Sequence, residues 1–177
     1  MHAVKNIVLI GFMGAGKTTV GRSLAKSLDF KFVDLDEEIE KISEQKINEL
    51  FSQGEAYFRK IESEVLVSVL NNHNQVVATG GGVVVSEYNR QILSKCSREG
   101  SLVIFLDASP EVIWERVKFC KNRPLLQVEE PEMRFRSLLN SRHQYYQTLA
   151  DIIIDTSKKG IEEIKQELLN KLKERFC

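Results

Sequence analysis

The 177-residue sequence predicts an α/β fold in three layers, a five-stranded parallel sheet with helices on both faces. Three observations predict it. Five short apolar runs recur along the chain, and each is separated from the next by stretches of helical periodicity. Right-handed crossovers then leave few topologies for the strands. Finally, Gly11-Phe12-Met13-Gly14-Ala15-Gly16-Lys17-Thr18 fits the pattern G-x-x-x-x-G-K-[ST] and lies between the first apolar run and the first helical one.

The elements follow in order. Val4 to Ile10 reads as a buried strand running into Gly11, and Thr19 to Leu28 as a helix with Val20, Leu24 and Leu28 on one face. Phe30 to Asp34 is the second strand. Glu37 to Gln53 carries helical spacing at Ile39 and Ile42, then at Ile47, Leu50 and Phe51, until Gly54 interrupts it. The next helix has Ile61, Val65, Leu66, Val69 and Leu70 as its stripe and ends in Asn71-Asn72-His73-Asn74. Gln75 to Ala78 is the third strand, stopped by Thr79-Gly80-Gly81-Gly82, and a helix around Glu87 to Cys96 leads to the fourth strand, Leu102 to Leu106. Ser109-Pro110 supplies an N-cap and a first-turn proline for a helix through Ile113 and Val117. Pro124 and Pro131 bracket a charged stretch, Glu132 to Leu149 is helical, Asp151 to Ile154 is the fifth strand, and Ile161, Ile164, Leu168 and Leu172 line a last helix.

Composition narrows the function classes. The length fits one domain, and 42% hydrophobic residues suffice for a core. Lys plus Arg and Asp plus Glu both total 25, so no net charge recruits nucleic acid or an anionic membrane, and the ligand expected is a small molecule. The first apolar run is too short for a secretory or membrane-spanning segment, which predicts a cytoplasmic protein without membrane attachment. Cys96, Cys120 and Cys177 are widely spaced and lack C-x-x-C, so neither a disulfide framework nor a zinc site is expected. His2, His73 and His143 read as surface histidines.

The glycine loop carries the chemistry. Its glycines let backbone N–H groups of Gly14, Ala15 and Gly16 turn inward on phosphates, and the helix N-terminus at Thr18 and Thr19 adds its positive dipole end. Lys17 adds a mobile cation, and the Thr18 hydroxyl suits Mg²⁺. Ligands of parallel sheets gather beyond the carboxyl ends of the strands, and there stand Gly11, Asp34-Leu35-Asp36 and Gly80-Gly81-Gly82, three groups expected to converge on one crevice. Asp36 could also simply cap a helix beginning at Glu37. The three glycines serve a tight turn or a ligand's close approach, and the strand end favours the ligand. Arg59 and Glu62, three apart on a helix, are a surface ion pair or part of the site. Asp107 reads as structural.

Arg116, Arg123, Arg134, Arg136 and Arg142 fall within 27 residues, 116–142, and arginine is preferred where phosphate or carboxylate is recognised bidentately. Arg134 and Arg136 read as a solvated face. Arg123, in Asn122-Arg123-Pro124-Leu125-Leu126, lies in a break between helices that can form a lid and meet a phosphate.

With these residues in view, the sequence resembles the shikimate kinases along nearly its whole length. The resemblance rests on Gly11 to Thr18, Asp34-x-Asp36, Phe58-Arg59-Lys60-Ile61-Glu62, Gly80 to Gly82, Arg116 with Arg123-Pro124-Leu125-Leu126, and Arg142 ahead of Tyr146 and Ala150. It implies a three-layer P-loop NTPase fold similar to the nucleoside monophosphate kinases, and phosphorylation of the shikimate 3-hydroxyl by ATP with Mg²⁺ in aromatic amino acid biosynthesis. It implies a single kinase domain over residues 1–177, with a substrate-binding segment at about 34–62 and a lid at about 116–131, acting as a monomer. The family roles fall on Lys17 and Thr18 for phosphate and Mg²⁺, Asp34 for the metal's outer shell, and Asp36 for the substrate hydroxyls and as base. They fall on Arg59, Gly80, Gly81, Gly82 and Arg142 for shikimate, on Arg123 as lid arginine, and on Arg116 beside adenine.

The residues agree with that implication. Phosphoryl transfer needs alignment, charge neutralisation and a place for the hydroxyl proton, and Lys17, Mg²⁺, Arg123 and Asp36 supply them. Arg59 and Arg142 can fork a substrate carboxylate, with Glu62 holding Arg59. A P-loop GTPase would need Asn-Lys-x-Asp, and Asn170-Lys171 continues with Leu172-Lys173. A kinase of gluconate or a nucleoside monophosphate would share the loop and the lid but not the whole set.

Overall fold

The computed structural model describes residues 4–120 and 124–176. In chain order the elements are β1 (Asn6–Ile10), α1 (Lys17–Leu28), β2 (Lys31–Asp34), α2 (Leu35–Ser43), α3 (Ile47–Ser52), α4 (Glu55–Leu70), β3 (Gln75–Ala78), α5 (Glu87–Arg98), β4 (Leu102–Asp107), α6 (Pro110–Val117), a 3-10 turn (Pro124–Leu126), α7 (Pro131–Leu149), β5 (Ile152–Asp155) and α8 (Ile161–Phe176). The five strands form one sheet in the order β2-β3-β1-β4-β5, and every pairing is parallel.

Central β1 explains why the sequence shows a continuous apolar run. Val8 and Ile10 face a core built with α2, α4, α5 and α7, whereas Ile7 and Leu9 face a second core built with α1 and α8. A strand covered on both faces has no polar face to alternate with. Its one polar residue, Asn6, is fully buried and satisfied: its amide donates to Asn72 O at 2.7 Å and accepts from Gln75 N at 3.1 Å. β5 lies at the sheet edge, where Ile153 is half exposed.

The helix starts follow local chemistry. Ser86 Oγ accepts from Asn89 N and opens α5; Ser109 Oγ accepts from Val112 N, with Pro110 in the first turn of α6. Two expectations need correction. The helix after β2 begins at Leu35, and its N-cap is Asp34, whose Oδ1 accepts from Asp36 N at 3.1 Å; Asp36 sits in the first turn and is not the cap. The helical pattern over 37–53 is two helices, broken where Glu44 adopts a left-handed φ of 56°. Side-chain bonds stabilise that break: Glu40 accepts from Ile47 N at 3.0 Å and from Lys46 Nζ at 2.7 Å, and Glu49 accepts from Lys46 N at 2.8 Å.

These crossovers place the loops after β1, β2 and β3 side by side beyond the carboxyl edge of the sheet. Strands on either side of β1 are reached in opposite directions, which leaves a crevice at that edge.

Candidate active site

The loop from Gly11 to Gly16 wraps the N-terminus of α1 with its backbone turned inward. Gly14 and Gly16 take φ values of 81° and 92°, a region that other residues rarely adopt. A side chain at Gly14 would also stand 2.6 Å from Val117 Cγ1. Lys17 is buried and curls back over the loop, donating from Nζ to Gly11 O and Phe12 O at 2.9 Å each. Thr18 Oγ1 donates to Asp34 Oδ2 at 2.8 Å, so the hydroxyl and carboxylate expected at a metal stand together. Those two oxygens match the hard donors that Mg²⁺ prefers. Arg116 reaches back from α6 to donate to Gly14 O at 3.1 Å and Thr156 O at 3.4 Å, joining the glycine loop to the loop after β5. A cavity of about 430 Å³ is lined by Gly14, Ala15, Gly16, Lys17, Thr18, Thr19, Asp34, Asp36 and Arg116.

A second cavity of about 400 Å³ adjoins it, between α2, α3, α4 and the glycine turn. Met13, Asp36, Gly80 and Gly81 line both cavities, so Asp36 stands where they meet. The glycines keep this junction open. None of Gly80, Gly81 and Gly82 has a positive φ; what matters is close approach. A Cβ on Gly80 would lie 2.8 Å from Asp36 Oδ1, one on Gly81 2.9 Å from Met13 N, and one on Gly82 2.2 Å from Arg59 Nη2. Their carbonyls also serve: Gly81 O accepts from Arg142 Nη1 at 3.3 Å and from the Tyr146 hydroxyl.

Two arginines define the far wall. Arg59 is held rigidly, its Nη1 donating to both Glu62 oxygens at 3.0 and 2.9 Å and its Nη2 to Glu55 Oε1 at 3.0 Å, with the guanidinium over the Phe58 ring. Its Nε is buried with no partner among the described residues, so the group has an N–H left to give. The Arg59–Glu62 pair is therefore no solvated surface pair: Glu62 is fully buried. Burial pushes the Glu62 carboxyl up to about 7, against the opposing pull of Arg59. Burial also works against the Arg59 cation, but Glu62 and Glu55 outweigh it and raise its pKa.

Arg142 is 4% exposed, packs over Phe12, and has no carboxylate within ion-pair distance among the described residues. Burial first, and then the nearby Arg59 charge, depress its pKa. A buried cation without a counter-ion costs on the order of 3–5 kcal/mol. The pocket is thus prepared for an anionic group.

The structure brings together every expected site residue that it describes; Arg123 lies outside the described residues. Arg136 pairs with exposed Glu132, as a solvated face requires. His143, expected as a plain surface residue, is half buried with Nε2 3.3 Å from Asp107 Oδ2. Sequence reasoning gave no role to Tyr146, Glu55, Phe51 and Phe58. Tyr146 is fully buried, stacks on Phe105 and supports Gly81, and burial keeps its phenol protonated by raising its pKa. Its signal was its place four residues after Arg142 on the buried stripe of α7.

Comparison with known proteins gives the family. A family profile described as shikimate kinase matches residues 13–173. A shikimate kinase of Thermodesulfovibrio yellowstonii is 48% identical over 167 residues, covering 94% of this chain and 94% of the relative. Another, from Caldanaerobacter subterraneus, is 46% identical over 167 residues, covering 94% of this chain and 95% of the relative. The solved shikimate kinase from Acinetobacter baumannii in complex with shikimate superposes with a TM-score of 0.91 at 38% identity, over 98% of this chain and 96% of that one. A gluconokinase from Sinorhizobium meliloti, 19% identical with a TM-score of 0.59 over 98% of this chain and 94% of its own, shares the fold. A glycine loop, a carboxylate at the meeting of two cavities and a wall formed by buried Arg142 and largely covered Arg59 thus occur in a chain that belongs to the shikimate kinase family.

Proposed function

We infer that this chain transfers the γ-phosphoryl group of ATP to the 3-hydroxyl of shikimate, giving shikimate 3-phosphate and ADP in aromatic amino acid biosynthesis. The observation that carries this reading is Arg142, a buried cation with no carboxylate within ion-pair distance among the described residues, in a cavity that meets the other cavity at Asp36. An acceptor that is both a carboxylic acid and an alcohol fits both ends of that cavity.

The assignments are as follows. Backbone N–H groups of Gly14, Ala15, Gly16, Thr18 and Thr19 cradle the phosphates, and Lys17 exchanges its bonds to Gly11 O and Phe12 O for phosphate oxygens. Thr18 and Asp34 would hold Mg²⁺, which when bound neutralises charge on the phosphates. Arg59 and Arg142 grip the acceptor carboxylate, while Gly80, Gly81 and Gly82 let the ring lie against backbone. Asp36 then faces the hydroxyl, orients its oxygen and takes its proton. Arg116 flanks the nucleotide base, and Arg123 meets the γ-phosphoryl from a lid at about 116–131. The whole chain acts as one kinase domain, with its substrate-binding segment at about 34–62, as a cytoplasmic monomer. No helix among the described residues is long and apolar enough to cross a membrane.

The test is ADP release in the presence of ATP and Mg²⁺ with shikimate, gluconate or a nucleoside monophosphate as acceptor. Turnover is expected with shikimate alone. Equal turnover with gluconate or a nucleotide would overturn the reading.

A further inference from the structure

Asn89 is fully buried in the first turn of α5 and takes no part in the chemistry described so far. Its Nδ2 lies 3.5 Å from Glu62 Oε2, and its Oδ1 is buried with no partner among the described residues. A buried acceptor left unpaired is destabilising, and a leucine of similar shape would avoid it. The start of α5 is nevertheless fixed firmly around it. Ser86 Oγ accepts from Asn89 N, and the next residue, Arg90, donates from Nη1 to Val84 O and Val85 O at 2.8 and 2.9 Å while lying 4.2 Å over the Tyr145 ring of α7.

We propose that Asn89 is a positioning residue for the acceptor site, holding the Glu62 carboxylate from a second helix so that Arg59 stays aimed at the substrate carboxylate. Arg59 grips Glu62 through Nη1 alone, and Arg59 and Glu62 both belong to α4, so this contact does not fix the carboxylate plane against the rest of the site. The amide from α5 adds the missing direction. It must also be uncharged. Glu62 already faces Arg59 from α4, itself paired with Glu55, together with Asp36 from α2, and Arg142 and Tyr146 from α7, and α5 adds the amide. A further cation would compete with Arg59, and a further anion would expel Glu62.

The inference rests on the assignment of Arg59 to the acceptor carboxylate, and the experiment separates the two. Steady-state kinetics of the full chain are measured between about pH 6 and 9 for the wild type and for Asn89→Leu, Asn89→Asp and Arg59→Ala. Asn89→Leu is expected to raise the shikimate KM about tenfold throughout, through a lost bond to a charged group, with kcat and the ATP KM within about twofold of wild type. In Asn89→Asp, isosteric with the native residue, the two carboxyls share a proton at the acid end, so the shikimate KM starts near the wild-type value. It climbs about tenfold as both ionise. Wild-type shikimate KM values in both variants, or a pH-independent rise shared by both substrates, would overturn the inference. If Arg59→Ala leaves the shikimate KM unchanged, the assignment of Arg59 itself fails.

Discussion

Asp36→Asn is expected to lower kcat about 10²–10⁴-fold, the usual contribution of a general base, while leaving the fold and the ATP KM intact. The amide keeps the shape of the carboxylate against Gly80, where there is no room for a larger group. The structural cost is small. Asp36 shares the first turn of α2 with Glu37 and Glu38, so one of three favourable charges at a helix N-terminus is lost, about 0.3–1 kcal/mol. A large catalytic cost is expected because Asp36 lines both cavities, with its carboxylate at Gly80 where they meet, as the proposed function requires of the base. The measurement is kcat with saturating shikimate and ATP, alongside a thermal melt. A loss within about tenfold would demote Asp36 to a binding residue, since phosphoryl transfer depends only modestly on a base.

Arg59→Ala and Arg142→Ala are each expected to raise the shikimate KM by about tenfold to hundredfold, the worth of a charge-assisted bond of about 1.5–3 kcal/mol. In the proposed function the carboxylate they grip lies away from the reacting hydroxyl, so ground state and transition state should lose the bond alike and kcat should change less. The ATP KM barely moves. Arg59→Lys recovers only part of the loss, because an ammonium keeps the charge but not the planar fork.

Stability separates the two arginines. Arg59→Ala strands the fully buried Glu62, whose pKa then climbs beyond its present value of about 7. A carboxyl whose folded pKa exceeds the unfolded value near 4.5 penalises the fold increasingly as pH rises through that interval. The Arg59→Ala melting temperature should therefore fall with rising pH, more steeply than the wild type. Arg142→Ala removes a buried cation that forms no ion pair among the described residues and should leave the ligand-free melting temperature unchanged or higher, while shikimate loses most of its stabilising effect. A raised ATP KM with unaffected shikimate binding in either variant would move that arginine to the phosphate side.

What the sequence makes legible follows from how local the cause is. Gly11 to Thr18 and Asp34-x-Asp36 are contiguous, so strand, loop and helix signals fix their place in the sheet, and the structure puts them where that reading requires. Arg142 could also be told from Arg134 and Arg136 by spacing, since Phe135, Leu138, Leu139, Arg142 and Tyr146 form one buried stripe on α7. Glu62 carries the same signal among Phe58, Val65, Leu66 and Val69, and its burial turns an ordinary i,i+3 pair into a rigid support.

The break between α2 and α3 had no such signal. Glu44 takes a left-handed conformation without glycine or asparagine, and the bonds that favour it come from Glu40 and Glu49 to backbone several residues away. The pairing of His143 with Asp107 joins α7 to the end of β4 across 36 residues, and nothing local in either segment announces it. Likewise, the need for Gly80 to Gly82 lies in the groups that crowd them from three other segments, not in their own backbone angles.

The most direct measurement is the identity of the phosphorylated oxygen, read by proton–phosphorus NMR on the reaction of the full chain with ATP, Mg²⁺ and shikimate. If Asp36 presents one hydroxyl to the phosphate loop while Arg59 and Arg142 hold the carboxylate, a single new phosphomonoester appears, its phosphorus coupled to the proton on C3, in amounts equal to the ADP formed. Phosphorus on another hydroxyl, or ADP accumulating with free phosphate and unmodified shikimate, would contradict the account.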